Sequence, residues 1–342
     1  MSPHPLDDVT PLTWAPLTPK DLPDFAALVT AIEHLDDAID RQTLEEMTEY
    51  FHSSGSEPEI SSLLGRDRGG NPAAWAWNRK YGRDGKPVRI WLRGSVHPVW
   101  RSQNIGRRLF DWQIQQAREW YARDFRPGDG PLQLIAYADE KLPGHKHLLL
   151  NAGMTPARWY IDMVRPHLAD IETVEAPEGV RLVPLTPARY ESVRLAHNQA
   201  FESEWGADPV APHAWEQTLN RAAARPQWSW VAVNAECEEE VVGYAICSEF
   251  DAEEGRCGWI DHLGVRREWR HRGVASAVVT ACMRTFADQG LPGAGLGVDV
   301  ANPDTLGLYE RLGYEAADTM VLYKRDEESA DGRSLEMGHH QA

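Results

Sequence analysis

The sequence predicts a mixed α/β protein that contains two copies of one domain. Its 342 residues exceed the usual size of a single domain, and 42% of them are apolar, which is enough for two cores. Runs with strand-like alternation are interspersed with runs that carry apolar residues at helical spacing. Landmarks of the first half also recur in the second half in the same order, which is typical of a duplicated fold.

Two pairs of segments carry the repeat. The string PLTP occurs at 16–19 and again at 184–187, 168 residues later. In each copy it ends an apolar stretch with a Thr N-cap and a Pro at the first helical position, so each copy is predicted to pass from strand to helix. The segment VHPVWRSQNIGRR from Val96 aligns with VRREWRHRGVASA from Val265, 169 residues later, with Val, Trp and Arg in register.

A third pair fixes the length of the copies. The string NAGM around Gly153 matches RLGY around Gly313, 160 residues later, so the first copy holds about nine extra residues, which we assign to the polar loop 126–131. The predicted organisation is a flexible N-terminus 1–12, a first domain 13–165, an exposed linker 166–179, a second domain 180–326 and a disordered tail 327–342.

The second copy gives the clearer order of elements. Its apolar pattern predicts strand 180–185, helices 188–202 and 213–225, strands 228–234, 241–248 and 259–265, helix 273–289, strand 295–300, helix 304–312 and strand 319–324.

Charge and composition exclude several classes of partner. The chain has 35 Lys and Arg against 52 Asp and Glu, a net charge of −17 that repels nucleic acid and anionic membranes. The same field could attract a cationic substrate, although solubility alone explains it. We expect a cytoplasmic protein, because the start resembles no signal peptide and no apolar run is long enough to span a bilayer.

The four cysteines show no spacing typical of a metal site. We therefore expect no bound metal, and we interpret the cysteines as small buried apolar residues: Cys237, Cys247, Cys257 and Cys282.

A pattern for anion binding comes after the strand that ends at Val265. The residues Arg270, His271, Arg272, Gly273, Val274 and Ala275 open the next helix. Backbone N–H groups at a helix start, a glycine that permits close approach and neighbouring arginines together form a site for a pyrophosphate. The string R-x-x-G-x-A is common at helix starts, so its interpretation depends on the next motif along the chain.

After the next strand comes N-x(6)-Y-E-R-L-G-Y, from Asn302 through Tyr309 to Tyr314. This order of strand, R-x-x-G-x-A helix, strand and N-x(6)-Y resembles the GNAT acetyltransferase superfamily over most of 180–326. The resemblance implies two tandem GNAT folds, each a mixed, mostly antiparallel sheet flanked by helices. It also implies that acetyl-CoA is bound.

The same resemblance assigns roles to residues. It implies that the loop from Arg270 to Ala275 holds the coenzyme A pyrophosphate, and that the backbone near Val265 receives the pantetheine arm and the developing oxyanion. Asn302 is expected beside the pantetheine arm. Tyr309 is expected to protonate the departing thiolate, although a role as a packed helix residue is the alternative.

Acylation of an amine also needs a base, because an ammonium must lose a proton before it attacks a thioester. The family often places this base four or six residues before the position of Val265, which are Asp261 and Trp259 here. Tryptophan cannot accept the proton, so Asp261 is the first candidate. His262 is the second, because it points to the opposite face if the strand is regular.

Two acidic stretches are candidates for binding the acceptor. They are Glu202, Glu204 and Trp205 after the first helix, and Glu249 with Asp251 after a strand. Solvated loop charge is the alternative explanation for each of them.

The first copy lacks the equivalent chemistry. Asn104 replaces Gly273, Leu149 replaces Tyr309 and Leu92 replaces Asp261, whereas Arg101 and Gly106 persist at the helix start. A coenzyme A-like ligand could still bind there, but the acid and base are gone. The layout resembles the tandem members of the superfamily with one silent half, such as the mycothiol synthases.

The sequence thus predicts an N-acetyltransferase whose second domain moves acetyl from acetyl-CoA to the primary amine of a small molecule in a ternary complex. One alternative is another acyl group, or an amino-acid or peptide acceptor. Another is a non-catalytic module that binds acyl-CoA, which would have no need of an acid and a base around the thioester.

Overall fold

The structure is a computed structural model, and it describes residues 4–37, 42–53, 56–81, 87–126, 129–202, 209–252, 255–301 and 303–327. The chain forms two compact units. Of the described residues, unit 1 contains those up to Arg158 and those from Met320 onward, and unit 2 contains Trp159 to Thr319.

In chain order the elements are β1 Thr13–Ala15, α1 Leu22–Leu35, α2 Leu44–His52, α3 Pro58–Ser61, β2 Ser62–Arg66, β3 Pro72–Tyr81, β4 Val88–Val96, α4 Ile105–Asp124, β5 Leu132–Asp139, α5 Pro143–Asn151, β6 Thr155–Arg165, β7 Val180–Pro184, α6 Tyr190–Ala200, α7 Pro212–Asn220, β8 Trp230–Asn234, β9 Cys237–Ala252, β10 Gly255–Val265, α8 Val274–Asp288, β11 Ala294–Asp299, α9 Pro303–Arg311 and β12 Glu315–Asp326.

Each unit is a sheet with helices on both faces. In unit 1, strands β1 to β5 follow one another in the sheet, and only β4 and β5 are parallel. In unit 2, strands β7 to β11 do the same, and only β10 and β11 are parallel. In unit 1, helices α1 and α2 pack on one face of the sheet and α4 packs on the other. In unit 2, helices α6 and α7 pack on one face and α8 packs on the other. The predicted mixed, mostly antiparallel fold is confirmed.

The last strand of each copy pairs with the other copy. Residues 320–326 of β12 lie antiparallel to β5 in unit 1, and residues 160–165 of β6 lie antiparallel to β11 in unit 2. The predicted boundaries 13–165 and 180–326 therefore describe the repeat in the sequence, and they stay a prediction, whereas the compact units exchange these strands.

Equivalent arginines anchor the exchanged strands. Arg165 donates hydrogen bonds to the carbonyl oxygen of Leu312, at the end of α9, and to that of Asp170, the latter at 2.8 Å. Arg325 donates to the carbonyl oxygen of Ala152, at the end of α5. The C-terminal carbonyl groups of a helix lack intrahelical partners. Each arginine donates a hydrogen bond to one of them, and its positive charge interacts favourably with the helix dipole.

Two parts of the predicted outline are wrong, and a third holds apart from one residue. The N-terminus is not free, since Leu6 and Leu12 are buried in the core of unit 1. The linker 166–179 is mostly exposed, as expected, but Leu168 is buried in unit 2. The extra residues of the first copy do not fit the loop 126–131 alone, because α4 has 20 residues and α8 has 15.

The predicted elements of the second copy all occur, with different ends. The helix predicted at 213–225 stops at Asn220, where Arg221 turns to extended backbone, and Pro226 separately disfavours helical backbone at Arg225. The residues after the helix bond to β9 instead, with the Arg225 N–H donating to the Cys247 carbonyl oxygen at 2.9 Å. Cys247, Cys257 and Cys282 are buried as expected, but Cys237 is exposed at the start of β9.

No helix within the described residues is long and apolar enough to cross a membrane. The predicted tail lies outside the described residues, apart from Glu327.

A matched pair of truncations tests the strand exchange. A chain that ends after residue 319 loses Val321, Leu322 and Tyr323, whose side chains are buried. We expect the core of unit 1 to lose ~1.5–3 kcal/mol for each such side chain, and the edge of β5 to become exposed to aggregation. A chain that ends after residue 327 is the control and should unfold like the full-length protein. Equal thermal midpoints and equal solubility for the two truncations would contradict the exchange.

Candidate functional site

The candidate site of unit 2 begins where two parallel strands diverge. Strands β10 and β11 pair from Gly258 to Ile260, opposite Ala294 to Leu296, and the pairing stops there although β10 continues to Val265. The residues of β10 beyond Ile260 keep their partners in β9 on the other side. The strands therefore leave a wedge whose wall is the backbone of residues 263–265, and this backbone lines a pocket.

The loop after β10 has the backbone of an anion site. His271 has φ 58° and Gly273 has φ 91°, both in the left-handed region that favours glycine. Gly273 is the N-cap of α8, and the first intrahelical bond runs from the Ala277 N–H to its carbonyl oxygen. The N–H groups at the start of α8 thus lack intrahelical partners, and three of the residues that carry them line the pocket: Val274, Ala275 and Ser276.

Arg270 holds this loop in place. Its Nε donates to the carbonyl oxygen of Val265 at 3.1 Å, and a terminal nitrogen donates to that of Ala200 at 2.7 Å. Arg272 lies over the ring of Trp269, 5.2 Å from its centroid. Arg270 therefore couples the end of β10 to the end of α6 and adds positive charge beside the N-terminus of α8.

The pocket has a volume of about 550 Å³. The residues that line it come from β10, the loop, α8, α9 and the end of α6: Ala200, Phe201, Leu263, Gly264, Val265, Trp269, Arg270, His271, Gly273, Val274, Ala275, Ser276, Thr305, Leu308, Tyr309 and Arg311. The pocket combines this volume with backbone donors for a phosphate at the start of α8, so the residues present fit coenzyme A.

Tyr309 is one of three polar residues that α9 contributes to the wall of the pocket, with Thr305 and Arg311. Its side chain is buried, and its ring packs edge to face against Tyr314 at 5.8 Å. Burial raises the pKa of Tyr309 well above its ordinary value. The phenol therefore stays protonated at neutral pH and can donate a proton.

Strand β10 is irregular at the predicted base. Ile260 is opposite Cys247 in β9, but His262 is opposite Ile246, so Asp261 is the extra residue of a β-bulge. Because opposite residues share a face of the sheet, the bulge moves His262 to the face of Ile246. Asp261 accepts a hydrogen bond on that face too, from Ser248 at 2.9 Å. The expectation that a regular strand separates the two candidates is wrong.

Asp261 is paired on the acceptor face, the sheet face that packs against α6 and α7. Its Oδ1 forms an ion pair with Arg221, just after α7, and also accepts the Ser248 hydrogen bond. Burial raises the pKa of Asp261, while Arg221 and Ser248 act in the opposite direction. Its carboxylate is thus a fixed part of an ion pair.

His262 lies among rings instead. Its centroid is 5.3 Å from that of His197 and 6.0 Å from that of Trp215. Burial, with a contribution from Arg221, lowers the pKa of His262 to about 4. The pKa of His197 is also lowered to about 4, by burial and by His262. Both imidazoles are therefore neutral at neutral pH.

The acidic stretches are less available than the sequence indicated. Glu249 is paired with Arg225 and also lies 3.4 Å from Arg256, so little negative charge remains there. Glu202 and Asp251 are exposed. The remaining predicted site residues, Glu204, Trp205 and Asn302, lie outside the described residues.

Comparison with known proteins assigns the fold to a family. The model of the acetyltransferase (GNAT) family matches residues 190–314. A mycothiol acetyltransferase from Thermobispora bispora is 31% identical over 238 residues, which are 67% of this chain and 74% of that protein. The mycothiol acetyltransferase of Streptomyces coelicolor is 28% identical over 233 residues, 68% of this chain and 70% of that protein. The chain belongs to the GNAT family of acetyltransferases.

Solved structures agree on the fold. A GCN5-related N-acetyltransferase from Sphaerobacter thermophilus has a TM-score of 0.72 at 22% identity, over 92% of this chain and 95% of that one. A tandem GNAT protein from the clavulanic acid biosynthesis pathway has a TM-score of 0.70 at 18% identity, over 94% of this chain and all of that one. The protein is a tandem GNAT enzyme, an N-acetyltransferase that uses acetyl-CoA.

Unit 1 of the acetyltransferase keeps the backbone of the candidate coenzyme site. Ser102 and Asn104 both have φ 63°, at the positions that align with His271 and Gly273. Arg101 donates from Nε to the Val96 carbonyl oxygen at 2.9 Å, as Arg270 does to Val265. Strands β4 and β5 also stop pairing at Trp91, and a pocket of about 470 Å³ lies between the loop and α5.

The side chains of unit 1 differ from those of the candidate site in unit 2. Leu149 is fully buried where α9 carries Tyr309, and Leu92 lines the pocket without a carboxylate. Asp36 forms a two-point ion pair with Arg101, at 2.7 and 2.5 Å. The register of β3 and β4 contains no bulge, so Arg93 faces Trp77 in a regular ladder.

Sequence reasoning missed four residues of the acceptor face: His197, Trp215, Arg221 and Tyr244. They come from α6, the α7 region and β9, and none belongs to a motif. The available signal was the alternation of β9 and β10, which places Tyr244 and Ile246 on one face.

The neutral histidines of the acetyltransferase should make its stability depend on pH. Unfolded histidines bind protons below about pH 6.5, whereas His197 and His262 stay neutral in the fold down to about pH 4. The unfolded state thus binds more protons in this window, so the free energy of unfolding should fall as pH falls from 6.5 to 4. Urea unfolding across this range should show a flatter dependence for His197→Gln with His262→Gln than for the wild type. An unchanged slope would contradict the neutral state.

Proposed function

We propose that unit 2 moves acetyl directly from acetyl-CoA to the primary amine of a small molecule, with both substrates bound in a ternary complex. The observation that carries this proposal is the single pocket that joins the wedge beside Val265, the anion loop at Gly273 and the phenol of Tyr309. A binding module needs the loop, but it has no need of a buried proton donor next to it.

Acetyl-CoA, when bound, supplies an activated acyl carbon as a thioester. The residues of the chain bind and orient the substrates and transfer the protons. The loop from Arg270 to Ala275 binds the pyrophosphate through backbone N–H groups, and the wedge at residues 263–265 orients the pantetheine arm. Tyr309 donates its proton to the departing thiolate, and the acceptor face supplies the base from Asp261 or His262.

The first acceptor to test is mycothiol that lacks its acetyl group, because the similar proteins are mycothiol acetyltransferases. The cationic acceptor predicted from the net charge of −17 has less support, because Arg225 neutralises Glu249 and Arg221 neutralises Asp261. A primary amine on a scaffold without further positive charge fits this balance of charge. A cytoplasmic location stays a prediction of the sequence.

Unit 1, in this proposal, binds a coenzyme A-like ligand without catalysing transfer. Its left-handed loop residues and its pocket persist, but Leu149 has no group that donates a proton. We therefore expect both units to bind the ligand and only unit 2 to catalyse transfer.

Replacement of the proposed acid should lower the turnover number. In Tyr309→Phe the ring still fills the wall of the pocket, but the donor is gone, so kcat should fall by roughly 10²-fold or more. The dissociation constant of acetyl-CoA, measured by calorimetry, should change little. A near wild-type kcat in this variant would exclude the phenol as the acid.

A matched pair of loop variants should separate the two units. Gly273→Trp puts a bulky residue at φ 91° among the residues that line the unit 2 pocket, so acetylation should stop. Asn104→Trp makes the equivalent change at φ 63° in unit 1 and should leave kcat largely intact while removing ligand binding there. Substantial turnover in a folded Gly273→Trp protein would show that unit 1 is active.

A further inference from the structure

Four ring side chains form a cluster on the acceptor face of unit 2, and we call it the His-Tyr cluster: His197, Trp215, Tyr244 and His262. His197 is at the centre, with ring centroids 5.1 Å from Trp215, 5.3 Å from His262 and 6.0 Å from Tyr244. Its Nδ1 is 2.6 Å from the Tyr244 hydroxyl oxygen, a short hydrogen bond. None of these residues belongs to the motifs for acetyl-CoA.

The cluster borders the pocket in three ways. His262 directly precedes Leu263, the first of the β10 residues that line it. The ring of Phe201, another lining residue, lies 4.8 Å from that of His197. Tyr244 packs so closely on Gly264 that a Cβ there would lie 2.5 Å from the tyrosine ring. A group that reacts beside residues 263–265 is therefore next to the cluster.

Asp261 and His262 differ in the hydrogen-bond and ion-pair partners that their side chains already have. The Oδ1 of Asp261 accepts from Ser248 and pairs with Arg221, so protonation would break an ion pair. His262 has no hydrogen-bond partner within the described part of the chain. Its neutral ring therefore keeps a lone pair that can accept a proton.

The groups that face His262 keep it neutral before the reaction. Arg221, just after α7, is positively charged, and its ion pair with Asp261 of β10 compensates that charge. His197 of α6 and Tyr244 of β9 are both uncharged. Trp215 on α7 adds an apolar ring. Two imidazoles at this separation cannot both be charged at low cost, so one proton at most resides on the pair.

We propose that His262 is the base that takes the proton of the acceptor ammonium, and that His197, anchored by Tyr244, is the positioning residue that orients it. This inference rests on the proposed function and selects one of its two candidate bases. Asp261, in this assignment, fixes Arg221 and the bulge instead of reacting.

The proton balance of the step is complete. An N–H bond of the ammonium breaks, its electron pair stays on nitrogen, and the proton binds the His262 ring. The free amine then forms the new C–N bond, and the C–S bond breaks as Tyr309 protonates the sulfur. The second proton lost by nitrogen restores Tyr309, and the proton on His262 leaves to solvent.

The test compares His262→Gln with Asp261→Asn in the full-length chain. Thiol release is measured with acetyl-CoA and a panel of amines that includes mycothiol lacking its acetyl group, over a range of pH. We expect His262→Gln to lower kcat/KM by roughly 10²- to 10⁴-fold, with unchanged acetyl-CoA binding, and Asp261→Asn to stay within about tenfold of the wild type. Imidazole added to His262→Ala should restore part of the rate.

The positioning role has its own readout. Tyr244→Phe keeps the ring against Gly264 but removes the hydrogen bond to His197, so kcat should fall by about tenfold while acetyl-CoA binding and the thermal midpoint are retained. Its remaining activity should keep the acid limb of the pH profile, which His262→Gln should lose. A Tyr244→Phe variant with wild-type kcat would overturn the role of His197.

The outcomes separate the two proposals. Amine-dependent thiol release that His262→Gln leaves intact at every pH, or that Asp261→Asn abolishes instead, overturns the assignment of the base and leaves the proposed function standing. A folded wild-type protein that binds acetyl-CoA but releases no thiol with any amine overturns the proposed function, and the base with it.

Discussion

The site depends on two parallel strands that stop pairing. Beyond Ile260 the backbone of β10 is freed from β11 but is still held by β9, so it stays rigid while one edge opens. A rigid strand with an open edge gives a substrate a fixed surface without the entropy cost of ordering a loop. The anion loop and α9 then need only the correct distance from this edge to complete a pocket.

The two units show which parts of such a site resist change. The left-handed residues Ser102 and His271 occupy equivalent positions although their side chains differ, because the turn into the long helix demands that backbone. Asn104 and Gly273 do the same, and asparagine tolerates the left-handed region better than most residues. Tyr309 has no such constraint, since a leucine fills the equivalent buried space in unit 1. Backbone geometry thus persists where the tyrosine is replaced by leucine.

Charge pairing decides what the acceptor face can do. A carboxylate buried in a sheet must be compensated, and Arg221 and Arg225 do this for Asp261 and Glu249. Because these two carboxylates are paired, they add little to the negative potential that the net charge of the chain predicts for a cationic acceptor. Neutral imidazoles need no counter-ion, so His197 and His262 can be buried beside the pocket, although burial lowers their pKa.

The sequence by itself determined the repeat, the order of elements and the region of the candidate coenzyme site, because helix starts, glycine positions and apolar alternation are local properties. It located the loop at Gly273 and the helix of Tyr309 for that reason. It could not determine the bulge at Asp261, which exists only as a register between β10 and β9. His197 and His262 are likewise 65 residues apart in the chain and meet only when α6 packs on the sheet. Only the tertiary structure decided the exchange of β6 and β12, because both strands come after equivalent helices and their local sequence does not state which copy they pair with.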